Sequence, residues 1–167
     1  MTAIVIDESN VVRTAIAAEL ALLTRVVDVP ASPLGYGTDI VCTSDLDARM
    51  SEVDPFSTEG ISQAIVRRLD CPRGALPDDA DYGIDLRGML NCGVTADEIR
   101  SLAGRIRSEL QKDDRIDAAV VVVTPSSTGS SLSVSLTITP VDARIGGFRL
   151  IVAVTDAAVL LEEISRS

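Results

Sequence analysis

Residues 78–85, DDADYGID, contain four carboxylates, those of Asp78, Asp79, Asp81 and Asp85. Acids this close together suggest glycoside hydrolysis, which needs two carboxyl groups about 5 to 10 Å apart across a sugar cleft, one of them with a raised pKa. A sugar cleft also needs aromatic side chains to line it, and the chain has few of them: two Tyr, two Phe and no Trp. The segment therefore favours a solvated acidic loop, and we expect no enzymatic activity and no catalytic residue.

The same acids do not fit a calcium loop. If an EF-hand pattern began at Asp79, its position 5 would be Gly83, its position 6 Ile84 and its position 12 Leu90. That pattern requires an oxygen ligand, a glycine and a bidentate glutamate at those three positions. We therefore expect no calcium site in this loop.

Histidine chemistry is excluded because the chain contains no His, which removes Ser–His and Cys–His nucleophile pairs and histidine metal sites. Cys42, Cys71 and Cys92 are odd in number and lack the CxxC spacing. Their apolar neighbours predict small, reduced, buried residues of a cytosolic protein. We therefore expect neither a metal nor a cofactor.

Charge and length limit the partners. The 167 residues carry 15 basic and 25 acidic side chains, so the formal net charge is −10. Such a chain is repelled by nucleic-acid phosphates, and we expect no nucleic-acid partner. The N-terminus lacks the basic region and cleavage site of a signal peptide, and no uncharged apolar run reaches 18 residues. We expect no membrane partner either.

Apolar spacing predicts about three to four helices. Residues 10–27 carry a wide apolar stripe that suits core packing or a partner. A second predicted helix is capped by Asp54 or Ser57 and runs to Leu69, and a third covers residues 84–90 and is closed by Gly93. A fourth begins at a capping box, Thr95–Glu98, and its inner stripe consists of Ile99, Leu102, Ala103, Ile106 and Leu110. Gly104 interrupts the last helix and predicts a close backbone approach.

Strands follow these helices. Residues 116–124 contain four consecutive valines, as in a strand buried on both faces. Residues 131–139 alternate, with Leu132, Val134, Leu136 and Ile138 inward, and residues 148–154 form a third strand. Residues 155–164 fit either a helix or a further strand. The predicted fold is α+β, an antiparallel three- to four-stranded meander with the helices on one face.

The segment 67–90, RRLDCPRGALPDDADYGIDLRGML, resembles the signature of the GPW/gene-product-25 family, the small baseplate wedge proteins of contractile tails. The matching features are the Arg68-Leu69 pair that ends a helix and the Tyr82-Gly83 pair that precedes another. A second family motif, of the Glu-Pro-Arg-Ile type, corresponds to residues 113–116, Asp-Asp-Arg-Ile, in which Asp114 replaces the proline. The resemblance covers roughly residues 35–155.

The resemblance implies a structural component of the inner baseplate wedge in a phage tail, a type VI secretion system or a related injection particle. Asp113, Arg115 and Ile116 would dock the wedge core, and Tyr82 and Gly83 would join this partner-binding site. Our own interpretation of Tyr82 is a loop anchor, and of Gly83 a backbone requirement. For Arg115 we expect a bidentate ion pair, either with a partner or near Asp113, and the alternative is an exposed charge at a helix end that contributes little.

The resemblance further implies several symmetric copies per particle. Other wedge subunits, the sheath protein and tube or hub proteins would be partners, and the sheet would help to template the first sheath ring. The chain would be made in the bacterial cytoplasm and incorporated in a tail baseplate. Residues 1–34 form an arm and helix outside the resemblance, and 35–167 the wedge-like domain. Two alternatives stay open: a peptidoglycan-cleaving, lysozyme-like enzyme and a regulatory adaptor on the same fold.

Overall fold

The structure, a computed structural model, describes residues 38–42, 49–126 and 130–166. All of these belong to one compact unit, Thr38–Ser167. The helix predicted at residues 10–27 and the arm at 1–34 lie outside the described residues. Among the described helices, none has the length and apolar character to cross a membrane.

Along the described chain, two short strands come first, three helices follow, and four longer strands come last. Two short strands, β1 (Asp39–Ile40) and β2 (Glu52–Val53), pair with each other. The helices follow as α1 (Thr58–Asp70), α2 (Leu86–Cys92) and α3 (Ala96–Leu110). The remaining strands are β3 (Ile116–Pro125), β4 (Ser131–Pro140), β5 (Phe148–Thr155) and β6 (Val159–Arg166).

The four long strands form one antiparallel sheet in the order β3-β4-β5-β6. Each strand therefore pairs with its neighbour in sequence, which confirms the α+β class and the antiparallel meander. The segment 155–164, for which the sequence left helix or strand open, supplies most of β6. This strand pairs with β5 from Val154–Val159 to Phe148–Arg166.

One apolar core joins the sheet to the helices. The predicted alternation of β4 is confirmed, since its inward residues Leu132, Val134, Leu136 and Ile138 are all buried. The same cluster contains alternate residues of β5 and the apolar stripes of the helices: Phe148, Leu150, Val152, Val154, Ile61, Ile65, Leu69, Leu86, Leu102, Ile106 and Leu110. This core fixes the ends of α1 and α3, between which the candidate site lies.

Strand β3 corrects a prediction. The valine run was expected to be buried on both faces, but Val120 and Val122 are 57% and 56% exposed while Val121 is buried. The reason is that successive side chains of a strand point to opposite faces, and only alternate ones enter the core, as they also do in the central strand β4. Valine is favoured there because its branched side chain suits the pleat.

Each of the three helices begins directly after a residue whose side chain caps its N-terminus. Ser57 caps α1, and its hydroxyl accepts the N–H of Gly60. The capping box of α3 is confirmed: the Thr95 hydroxyl accepts the N–H of Glu98, and the Glu98 carboxylate accepts the N–H of Thr95. Helix α2 begins at Leu86, two residues later than predicted, because Asp85 adopts a left-handed conformation with φ 51° and accepts the N–H of Gly88.

Two further predictions were wrong. Gly104 is exposed, and no described atom lies within 4 Å of the position that a Cβ would occupy, so it makes no close approach inside the described fold. Cys92 is exposed at the end of α2, whereas Cys42 and Cys71 are half-buried. All three cysteines are free thiols.

Candidate docking site

A buried acid–arginine pair lies in the turn from α3 to β3. The Nε and Nη2 of Arg115 donate to the two carboxylate oxygens of Asp113 at 2.8 and 2.6 Å. The backbone N–H of Arg115 donates to the same carboxylate at 3.1 Å. Both side chains are almost fully buried, at 8% and 7% exposed. The ion pair expected for Arg115 is therefore made within the chain, with Asp113 itself.

Arg115 also holds two neighbouring segments. Its Nη1 donates to the carbonyl oxygen of Pro55 at 3.0 Å, just before α1. Its own carbonyl accepts the N–H of Val141 at 2.9 Å, just after β4. One residue thus ties the end of α3 and the start of β3 to the turns at 54–57 and 141–145.

The pKa of Asp113 is lowered from its ordinary value. Burial alone would raise this pKa, but the hydrogen bonds and the charge of Arg115 outweigh burial, and the charge of Arg68 adds to them. Asp113 is therefore ionised at neutral pH. The influence of Arg68 also places the pair beside a second group of charges on α1 and α3.

Glu109 is the centre of that second group. Its side chain is 0% exposed, and it accepts the N–H of Gly83 at 2.9 Å. Three cations surround its carboxylate: Arg68 and Arg73, each at 3.0 Å, and Lys112 at 2.9 Å. Burial raises the pKa of Glu109, but the hydrogen bonds to its carboxylate lower the pKa by more, so the net shift is downward. The carboxylate therefore stays charged inside the fold.

The acidic loop is fastened to α3 through the same cations. Lys112 Nζ contacts the Asp81 carboxylate at 2.7 Å, and Arg73 pairs with Asp81 as well. The hydrogen bond and charge of Lys112, with the charge of Arg73, lower the pKa of Asp81. Asp79 accepts the N–H of Asp81 at 3.1 Å, which closes the turn. Three of the four carboxylates of this loop are thus engaged within the chain, since Asp85 caps α2.

Tyr82 and Gly83 serve the same loop. The guanidinium carbon of Arg68 lies 4.3 Å from the centre of the Tyr82 ring, a cation–π contact. Burial raises the pKa of Tyr82. Gly83 has φ 92°, and a Cβ there would lie 2.1 Å from the carbonyl oxygen of Cys71. Both residues therefore have roles within the loop, as our interpretation from the sequence expected.

The five predicted site residues form two adjacent groups. Asp113, Arg115 and Ile116 come together at the start of β3, where Ile116 is buried in the core. Tyr82 and Gly83 lie in the loop that contacts Arg68 and Glu109. Asp113, Arg115, Ile116 and Gly83 are buried and Tyr82 is half-buried, so any partner would meet the surface that these residues support.

Glu109 was missed by the sequence reasoning. The sequence contains a signal, because Glu109 follows Leu102 and Ile106 on the inner stripe of α3 at the spacing i, i+4 and i+7. A glutamate on a buried stripe requires cations and hydrogen-bond donors around it. The available cations were Arg68, outside the apolar stripe of α1, Arg73 in the following turn, and Lys112 just after α3.

The comparisons add no relative to this picture. A scan against protein-family models and a search of curated protein sequences gave no match to the chain.

Proposed function

We propose that this chain is a structural component of the inner baseplate wedge of a contractile tail or injection particle. It would dock the wedge core and help to template the first sheath ring. The observation that carries the proposal is the place of the Asp113–Arg115 motif. It occupies the turn between the long helix α3 and the first strand of the four-stranded meander. The wedge family has its acid–arginine motif at that point.

We further infer that the three helices cover one face of the four-stranded sheet. The buried residues of α1, α2 and α3 belong to the same apolar cluster as alternate residues of β4 and β5. The opposite face would then carry Val120 and Val122 together with the Ser and Thr side chains of β4. Strand β3 would offer its unpaired edge to the strand of a neighbouring subunit, with main-chain hydrogen bonds giving affinity.

The experiment is a pull-down of the tagged full chain from its native producing cells, with mass spectrometry of the captured proteins. We expect wedge and sheath subunits to be recovered. Asp113→Ala and Arg115→Ala would reduce that recovery, but both changes also weaken the fold. Glu109→Ala is the matched control, because it removes a buried carboxylate from the neighbouring cluster without touching the motif.

The outcomes separate the alternatives. Loss of tail subunits in the two motif variants but not in Glu109→Ala supports docking through the motif region. Equal recovery in all variants moves the interface to the sheet edge. Recovery of no tail protein by the unmodified chain refutes the wedge proposal and favours the adaptor. Peptidoglycan turnover that is lost in Asp81→Asn would instead establish the lysozyme-like alternative.

A further inference from the structure

Strand β3 forms one edge of the four-stranded sheet, and among the described strands it pairs with β4 alone. Its register with β4 is unbroken over residues 118–125. The N–H of Ser126 donates to the carbonyl oxygen of Ser131 at 2.9 Å, which makes this a hydrogen-bonded pair. Because hydrogen-bonded pairs alternate along an antiparallel ladder, the main-chain N–H and C=O groups of Ala119, Val121 and Val123 point away from β4, toward the edge.

The side chains of this edge are apolar and small. Residues 118–124, AAVVVVT, carry no charge, although the chain has a net charge of −10. Val120 and Val122 are 57% and 56% exposed on the outward face, and Val123 is half-buried on the inward face. Neither a charge nor a proline interrupts the edge before Pro125, so it can accept a further strand.

The opposite edge, strand β6, differs in both respects. Glu162, Glu163 and Arg166 are exposed charges on this strand. Glu163 pairs with Ile151 and Leu161 with Val152, so Glu162 is an extra residue that forms a β-bulge. Charges and bulges on an edge strand oppose the addition of another strand. Of the two edges of this sheet, β3 is therefore the one suited to strand pairing.

We propose that the β3 edge pairs with the β3 edge of a second copy of this chain, antiparallel and around a two-fold axis at Val121. The two four-stranded sheets then join into one sheet of eight strands. In this register Val121 lies opposite Val121 of the second copy, and Ala119 lies opposite Val123. Every one of these residues directs its N–H and C=O at the interface, so each opposed pair exchanges two main-chain hydrogen bonds.

The same register also matches the side chains. Val120 lies opposite Val122 of the second copy, in the type of pair that has no hydrogen bonds and the closest side chains. The exposed valines of both copies thereby cover one another on the outward face. Asp117 falls near Pro125 of the second copy and not near a second carboxylate. A second copy therefore complements this edge in hydrogen bonds, in side-chain size and in charge.

The remaining charge of the chain permits this contact and limits its growth. Two copies of net charge −10 repel each other, but salt at physiological strength screens charges beyond about 8 Å, and residues 118–124 contain none. Once both β3 edges are paired, the outer edges are the two β6 strands, so association ends at the dimer. The dimer does not depend on the wedge role. Where the chain also serves as a wedge subunit, the dimer must dissociate before β3 can accept a neighbour's strand.

The first test is analytical ultracentrifugation of the purified full chain over a dilution series. We expect a reversible dimer of twice the chain mass of 17.6 kDa, whose affinity rises with added NaCl because salt screens the repulsion. Val122→Lys should weaken the dimer by at least about tenfold, since it places a charge against Val120 of the second copy. Leu160→Lys is the matched control, because Leu160 is 43% exposed on β6, and it should leave the affinity unchanged.

The second test reads the register. Val120→Cys and Val122→Cys are made as separate chains, each with Cys92→Ser to remove the exposed thiol. Mixed and oxidised, the two variants should form a disulfide, because opposed residues of this pair type have Cα atoms about 4.5 Å apart, within the range that a disulfide spans. Either variant oxidised alone should give little crosslink, since each new cysteine then faces a valine.

Each outcome supports or overturns the dimer. A chain that stays monomeric throughout the dilution series overturns it. A dimer that Val122→Lys leaves intact, or that Leu160→Lys weakens equally, has its contact elsewhere and also overturns it. Crosslinking of either cysteine variant alone, at the yield of the mixture, refutes the two-fold register. The native pull-down decides the wedge proposal separately: recovery of tail subunits by a chain that is monomeric when purified would uphold the wedge role and reject the dimer.

Discussion

Replacement of Arg115 by alanine is expected to cost a large part of the stability of this fold. Among the described residues, the guanidinium donates two hydrogen bonds to Asp113 and one to Pro55, from a site that is 8% exposed. Its removal leaves the Asp113 carboxylate buried, with the backbone N–H of Arg115 still donating to it. Breaking a buried pair by removing one partner costs about 3 to 5 kcal/mol. For a chain of this size that lowers Tm by about 6 to 20 °C.

The chain contains its own control for this prediction. Asp142 and Arg144 repeat the spacing Asp-x-Arg and form an ion pair at 2.6 Å, but the Arg144 side chain is 90% exposed. Arg144→Ala is expected to change Tm little, because solvent screens the exposed pair. Thermal unfolding of the two variants, followed by circular dichroism or calorimetry, makes the comparison. Equal Tm values for the two variants would refute the argument from burial.

The pH dependence of this effect has a definite sign. The pKa of Asp113 is lowered in the folded chain, so the stability that the pair contributes is fully present above the ordinary pKa of 3.8. It is lost as the pH falls through the lowered pKa. The difference in Tm between the unmodified chain and Arg115→Ala should therefore be largest at neutral pH and shrink below pH 3.8. A difference that is constant down to that range would contradict the assignment.

Three further predictions concern single residues. Glu109→Gln should lower the free energy of unfolding by about 2 to 3 kcal/mol, measured by chemical denaturation. Because the folded-state pKa of Glu109 is lowered, its charge stabilises the fold fully above the ordinary pKa of 4.5 and less below it. The free energy of unfolding of the variant should therefore depend less on pH below 4.5 than that of the unmodified chain. Gly83→Ala should cost at least about 2 kcal/mol, because its Cβ would lie 2.1 Å from the carbonyl oxygen of Cys71. Gly93→Ala, at a similar φ of 84° but with open space, should cost clearly less, and equal costs would disprove the clash. Gly104→Ala should raise stability by about 1 kcal/mol, and a loss would mean that the helix is constrained at that position.

Local signals in the sequence predicted most of the regular structure. The capping box at Thr95–Glu98 and the alternation of 131–139 depend on neighbours three and two residues apart, so both were recognised from the chain alone. The valine run of β3 was misjudged because the burial of its second face depends on whether another segment packs against that face. That packing is decided by distant parts of the chain, which the residues of β3 do not encode.

The candidate site was predicted only in outline. The sequence singled out Asp113 and Arg115, and the structure places them in one buried pair. The carboxylate of Glu109 was missed because its partners come from three separate places in the chain: α1, the loop after it and the end of α3. Such a cluster is created by tertiary packing, and no spacing along one segment predicts it.

The exposed valines of β3 have a consequence for handling the isolated chain. Residues 119–123, Ala-Val-Val-Val-Val, form an uncharged segment of high β propensity at a sheet edge, the composition that favours intermolecular cross-β pairing. Asp117 on one side and Pro125 on the other act as gatekeepers against such growth. The net charge of −10 provides the remaining protection, and it vanishes near the isoelectric point of about 4.4. Purified protein brought to that pH should precipitate as β-rich aggregate, and a buffer well above neutrality should keep it monodisperse.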